Sequence, residues 1–243
     1  MWRTLLVVTF CVGASLARLE AQVAGDACVD AVGLGGVGTV SFSTVGATTD
    51  GFPVAGCGGA SQISNDIWYC FTPLGPGVVE IELENQTFPA AVAVYSMCLC
   101  PASPSQLLGC DSGSVPTVIF PVAMGNSFLI RVGGAAAGAS GTGDLTLNNH
   151  MRRGDCNDDG LLNIADAIYT LTYLFPPPTG GTVDPPCKDD CDSNDDAAVD
   201  VADAVQLLST LFSSAGPLPA PFPNCGRDPT PDLLDCPRKE SCP

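Results

Sequence analysis

The cysteines constrain this chain more than any other feature. Of the 13, Cys11 lies in an N-terminal stretch with the character of an export leader. The other twelve divide evenly, with 28, 57, 70, 98, 100 and 110 in the first part and 156, 187, 191, 225, 236 and 242 in the second. The leader is read from the early cation Arg3, an apolar run from Leu5 to Val12, and small residues at Ser15, Ala17 and Ala21 that suit signal peptidase. An even cysteine count in an exported chain points to disulfides, and the split predicts two separately cross-linked domains. Six cysteines admit 15 pairings, among which spacing does not choose; Cys100 with Cys110 and Cys225 with Cys236 are nearest-neighbour guesses. Zinc is disfavoured, because neither Cys98-x-Cys100 nor Cys187-x3-Cys191 has a second matching pair or a histidine nearby. The leader run is too short to cross a membrane and no later segment approaches about 20 apolar residues. The expected location is secreted or extracytoplasmic.

Charge narrows the partners. The formal net charge is −17, and 16 of the 26 acidic residues lie in 150–243. Such a field repels phosphate backbones, and no basic patch interleaved with aromatics is present, which argues against nucleic acid and anionic membranes. Divalent cations are the natural partner.

Residues 26–149 are rich in Gly, Val, Thr and Ser and punctuated by turn residues, the pattern of an all-β domain. About eight strands are expected, the clearest being Gly38 to Thr44, Asp66 to Thr72, Val78 to Glu84, Ala91 to Tyr95, Thr117 to Pro121, Ser127 to Val132 and Asp144 to Leu147. Val79, Ile81 and Leu83 alternate with Glu80, Glu82 and Glu84, so that one face is buried and the other wet. Two packed sheets, a jelly-roll-like sandwich, are the simplest closure.

Beyond Asn148 the composition turns acidic, and a repeat begins. Ile164 to Phe175 aligns without gaps on Val201 to Phe212, each segment an acidic loop entering a helix, which makes the second domain small and all-α. Prolines 176 to 178 end the first helix, and Gly216 with Pro217 ends the second. The expected domains are a leader at 1–21, the sandwich at 26–149, the helical domain at 150–216, and an irregular disulfide-pinned tail at 217–243. Within the first loop Asp155, Asn157, Asp159, Asn163 and Asp166 stand at positions 1, 3, 5, 9 and 12, with Gly160 at 6. Asp192, Asn194, Asp196, Asp200 and Asp203 repeat this register, with Ala197 at 6. A hard cation takes six to eight oxygens, and the spacing lets alternate side chains converge with the carbonyl of position 7, Leu161 or Ala198. Two calcium ions are the expected cofactor. Ala197 is the weak point of the second loop, since a positive φ costs a residue with a Cβ about 1 kcal/mol.

Loop, helix, connector, loop, helix, with Asp at position 12, resembles a type I dockerin over about residues 154 to 214 and its EF-hand-like calcium loops. The resemblance implies two calcium ions and docking onto a cohesin-like partner in assemblies for polysaccharide catabolism. It places the contact residues at Ile164 and Ala165 and at Val201 and Ala202, apolar here where dockerins often carry hydroxyls. In the first half, Asn65 to Pro73, Phe128 to Gly134 and Gly143 to Leu147 resemble the β-sandwich modules at the C-terminal end of secreted bacterial peptidases. That likeness implies an appended binding module and carries over no catalytic residue.

A direct search for an active site agrees with a non-catalytic chain. The single histidine, His150, sits at the domain boundary as a solvated linker residue, which argues against a Ser-His-Asp or Cys-His centre. Glu80, Glu82 and Glu84 offer paired carboxylates for a glycoside hydrolase, but a wet strand face explains them equally well. Trp68 is a candidate sugar-stacking surface, with Tyr69 on the opposite face of its strand. Gly33 to Gly36 lacks the Lys and helix of a phosphate cradle. The expected function is calcium-dependent protein attachment with a β-sandwich binding module; the alternative is an accessory component of polysaccharide degradation that binds glycan.

Overall fold

The alternation of Val79, Ile81 and Leu83 with glutamates sets the architecture of the first part: all three apolar side chains are fully buried. In the computed structural model, which describes residues 23–57, 62–178, 181, 183–230, 234, 236 and 242, nine strands form two sheets. The leader expected over 1–21 lies outside the described residues. The strands are β1 (Val32–Gly35), β2 (Gly38–Ser43), β3 (Ser64–Thr72), β4 (Gly77–Glu84), β5 (Ala90–Ser96), β6 (Leu107–Asp111), β7 (Thr117–Val122), β8 (Phe128–Gly134) and β9 (Thr142–Asn149). One sheet has the order β1-β3-β8-β5-β6 and the other β2-β9-β4-β7, antiparallel except for the parallel β1–β3 pair. Between them lies one core, with Val79, Ile81, Leu83, Leu145 and Phe120 from the second sheet meeting Phe71, Val92, Val94 and Ile130 from the first. Each such side chain contributes roughly 1.5–3 kcal/mol by leaving water.

The outer face of the five-stranded sheet is covered too. Trp68 is 1% exposed, packs with Ile63, Tyr95 and Leu129, and donates its indole N–H to Asp50 at 2.7 Å. Arg131, fully buried, lies 5.2 Å from the Trp68 ring, pairs with Asp66, and donates to the carbonyls of Phe52 and Ile63 at 2.7 Å. Trp68 and Tyr69 do face opposite ways, but the sugar-stacking expectation is corrected: the covering loops leave the indole no free face. Disulfides Cys28–Cys100, Cys57–Cys110 and Cys70–Cys98 fasten those loops.

The C-terminal lobe contains α1 (Ile164–Leu174), the four-residue α2 (Lys188–Cys191) and α3 (Val201–Phe212). Both long helices begin with capping boxes, Asn163 with Asp166 and Asp200 with Asp203, which satisfy amides at the first turn that otherwise lack partners. Their common interface is a small cluster centred on Ala167, Ala204, Leu207 and Leu218. Three disulfides close the lobe: Cys156–Cys191, Cys187–Cys236 and Cys225–Cys242. The fully buried Arg153 adds a polar hub, donating to the Ala220 carbonyl at 2.9 Å, the Asp192 carbonyl at 2.6 Å, Asp195 at 2.9 Å and Asp228 at 2.6 Å.

This arrangement corrects the dockerin and EF-hand identification. Cross-links and a buried guanidinium stabilise the lobe, and a cysteine follows the first acidic residue of loop one and reaches α2. The loop spacing is a local pattern, whereas a family fold is fixed by how its helices pack and what closes them. With the family goes the cohesin-like partner. Ile164 and Val201 are exposed, as is Ala202, and Ala165 is half-buried; no docking partner follows from their placement.

The lobe rests against the outer face of the four-stranded sheet. His150 lies 2.9 Å from Glu80 and donates its amide to the Val78 carbonyl at 2.9 Å, and Arg227 pairs with Glu82. His150 is thus a partly buried hydrogen-bond partner of Glu80 rather than a solvated linker residue. No helix among the described residues is long and apolar enough to cross a membrane.

Candidate metal centre

The sharpest gathering of acidic groups is in the first repeat. Carboxylate oxygens of Asp155, Asp159 and Asp166 lie within 4.8 Å of one another, Asp155 and Asp166 buried and Asp159 exposed. The chain reaches this arrangement by turning on itself. Asp155 accepts from the amides of Asp159 at 3.1 Å and Gly160 at 3.2 Å, Asn157 accepts from Asp159 at 3.1 Å, and Asp159 accepts from Leu161 at 2.8 Å. Asp166, in the first turn of α1, closes the circuit by accepting from Asn157 at 3.4 Å and Asn163 at 2.9 Å.

The second repeat has the same bonds at equivalent atoms. Asp192 accepts from Asp196 at 3.2 Å and Ala197 at 2.9 Å, and Asp203 from Asn194 at 3.2 Å and Asp200 at 2.7 Å. Position 6 takes the left-handed conformation in both loops, φ +78° at Gly160 and +68° at Ala197. The strain anticipated from the sequence is therefore present. A group of three acids gathered to the first loop's spacing is found only there among the described residues.

Position 9 has another duty. Asn163 accepts from the Ala165 amide at 2.8 Å and Asp200 from the Ala202 amide at 2.6 Å, so both side chains cap helices. The loop-7 residues Leu161 and Ala198 are exposed. Arg152 donates to the Gly160 carbonyl at 2.6 Å, beside the first loop, much as Arg153 does to the Asp192 carbonyl in the second.

Electrostatics mark the cost of convergence. Burial, followed by the repulsion of Asp155 and Asp159, pushes the Asp166 carboxyl up to about 6 against backbone hydrogen bonds that pull it down. Asp203 is pushed to about 6 in the same way, with Asp192 and Asp196 as its repelling neighbours. A group of hard oxygen donors without thiolate or imidazole fits a divalent cation of the calcium type in donor chemistry.

The other candidates are placed elsewhere. Glu80 and Glu82 hold the C-terminal lobe, and Glu84 accepts from Thr146 Oγ1 at 3.2 Å. Gly33 and Gly35 belong to β1, so that stretch is a sheet edge rather than a phosphate loop. Between the lobe and the outer sheet face lies a groove of about 540 Å³, which sequence reasoning missed because strands β2, β4 and β9 and the segment from Arg227 to Cys236 meet there from distant parts of the chain.

No family model matches this chain, and no curated protein matches it. Among solved structures, it is similar to the pre-peptidase C-terminal domain of a collagenase from Bacillus anthracis, with 13% identity over 48% of this chain and 93% of that one and a TM-score of 0.33. It is also similar to PliG, a periplasmic inhibitor of g-type lysozyme from Aeromonas hydrophila, with 14% identity over 48% and 96% of the two chains and a TM-score of 0.27. A third is the C-terminal CBM6 of the laminarinase LamC from Zobellia galactanivorans, with 15% identity, coverage of 45% and 99%, and a TM-score of 0.23. At these scores the likenesses carry no argument about activity or ligand.

Proposed function

We propose that the chain is an exported, non-catalytic binding protein: a β-sandwich braced by a C-terminal lobe whose two acidic loops take calcium. The convergence of Asp155, Asp159 and Asp166 carries this reading. Three carboxylates brought this close repel strongly, about 4 kcal/mol for two unit charges 4 Å apart at an effective dielectric near 20, and a divalent ion reverses that sign. In the first loop Asp155, Asn157, Asp159, Asp166 and the Leu161 carbonyl supply the oxygens. In the second they are Asp192, Asn194, Asp196, Asp203 and the Ala198 carbonyl, while Asn163 and Asp200 act on the ions through the helices they cap. The ions hold the loops; the disulfides hold the rest of the lobe.

Chelation therefore lowers the melting temperature of the lobe without unfolding it outright at room temperature. Differential scanning calorimetry with calcium and with EDTA tests this, and superimposable traces would remove the cation from the account.

A second reading concerns the sandwich, as an accessory of polysaccharide breakdown that binds glycan. The observation favouring it is the polar groove beneath the lobe, whose floor is hydroxyls, an amide and a carboxylate. The outer-face glutamates are engaged in contacts across the lobe and sheet, which argues against their use as a hydrolytic pair.

A further inference from the structure

The groove has a specific chemistry. Strand alternation puts Leu145 and Leu147 of β9 into the core and turns Thr146 and Asn148 outward, where Thr39 of β2 and Glu84 of β4 join them. Thr39 and Thr146 are cross-strand partners with hydroxyls 3.1 Å apart, and the Thr146 hydroxyl reaches Glu84 at 3.2 Å. The Asn148 Nδ2 is buried at the same surface without a hydrogen-bond partner. Asp228 and Thr230 form part of the roof, fixed from above by Arg153 at 2.6 Å and by Asp195 at 3.0 Å.

We infer that this groove is a binding site for a neutral oligosaccharide segment, an inference that rests on the glycan reading above and gives it a location. Its volume lies in the range of small-ligand sites. Its floor offers the hydroxyls of Thr39 and Thr146 beside the Glu84 carboxylate, donors and acceptors side by side. Anionic ligands are disfavoured: Arg227 is committed to Glu82 and Arg153 to Asp228, leaving Glu84 facing an incoming anion. No aromatic side chain lines the groove among the described residues, so recognition is by hydrogen bonds rather than by stacking.

The test is titration of the full mature chain, by calorimetry and by amide chemical shifts, with neutral β-glucan, xylan and mannan hexasaccharides and an acidic oligogalacturonate. Saturable binding of at least one neutral sugar is expected. Binding should be weakened at least about tenfold by Thr39→Trp, which fills the groove from an exposed edge position, and by Thr146→Val, which removes a floor hydroxyl. Unchanged melting of both variants shows that they fold; if Thr146→Val fails to fold, Thr39→Trp alone decides. No neutral sugar bound at millimolar concentration, wild-type affinity in Thr39→Trp, or preference for oligogalacturonate would each overturn the site. Calcium titration of the same samples separates the two readings, because ion uptake without sugar binding sinks the groove alone, and sugar binding without ion uptake sinks the cation reading alone.

Discussion

Replacing Ala197 by glycine tests whether the second loop is a strained version of the first. Ala197 stands at φ +68° where the first loop has Gly160 at +78°, and its amide donates to Asp192 at 2.9 Å, so the conformation is built into the ring of hydrogen bonds around the site. A left-handed residue with a Cβ costs roughly 1–2 kcal/mol. Glycine returns roughly 0.5–1 kcal/mol of this as extra backbone entropy lost on ordering. The net gain is about 0.5–1 kcal/mol, and Ala197 is exposed, so no packing is lost to offset it. If the loop closes on its ion, the gain appears as about two- to fivefold tighter calcium binding at the second site. Isothermal titration of wild type and Ala197→Gly, with Asp155→Asn in both to silence the first loop, isolates it. An affinity that is unchanged or weaker in the glycine variant refutes the reasoning.

Other perturbations bear on the same lobe. Arg153→Met leaves Asp195 and Asp228 without their buried cation, at a cost of about 3–5 kcal/mol. The lobe's calorimetric transition should fall by more than about 10 °C while that of the sandwich stays in place; coincident traces would contradict the Arg153 hub. Acidity should act through Asp166 and Asp203, both raised from 3.8 to about 6 in the ion-free protein. Folding then binds protons that the unfolded chain releases between those values, so their contribution favours the ion-free lobe as pH falls through about 6 and levels off below 3.8. Calcium competes with those protons, and its apparent affinity should be flat from pH 7 to 8 and fall about tenfold per unit below 6; an affinity independent of pH down to 5 would argue against both aspartates as ligands.

Period-2 segments were legible because burial imposes their pattern: Val79, Ile81 and Leu83 on β4 and Leu145 and Leu147 on β9 show it in the residues alone. Strands β1 and β6 were not, since Val32 to Gly35 and Leu107 to Asp111 are short and glycine-containing, and β1 is held only by its parallel pairing with β3, some way along the chain. The acidic repeat was visible as spacing, and its local hydrogen bonds recur in both loops. What surrounds it was not visible. Cys225 pairs with Cys242 rather than Cys236, and Cys110 with Cys57 rather than Cys100, because covalent pairing follows spatial proximity. Arg153 looks like one of two adjacent cations in a linker, yet it is the centre of the lobe. Likewise nothing in Asn65 to Pro73 shows that loops 48–57 cover Trp68, or that the glutamates of β4 receive His150 and Arg227.

Equilibrium dialysis of the purified protein against buffered micromolar calcium at neutral pH tests the central claim most directly. Two ions retained per chain, reduced to one by Asp155→Asn or Asp192→Asn and to none by both together, is the outcome expected from two cation-closed loops. Retention of no calcium, or of the same amount after both substitutions, would contradict it.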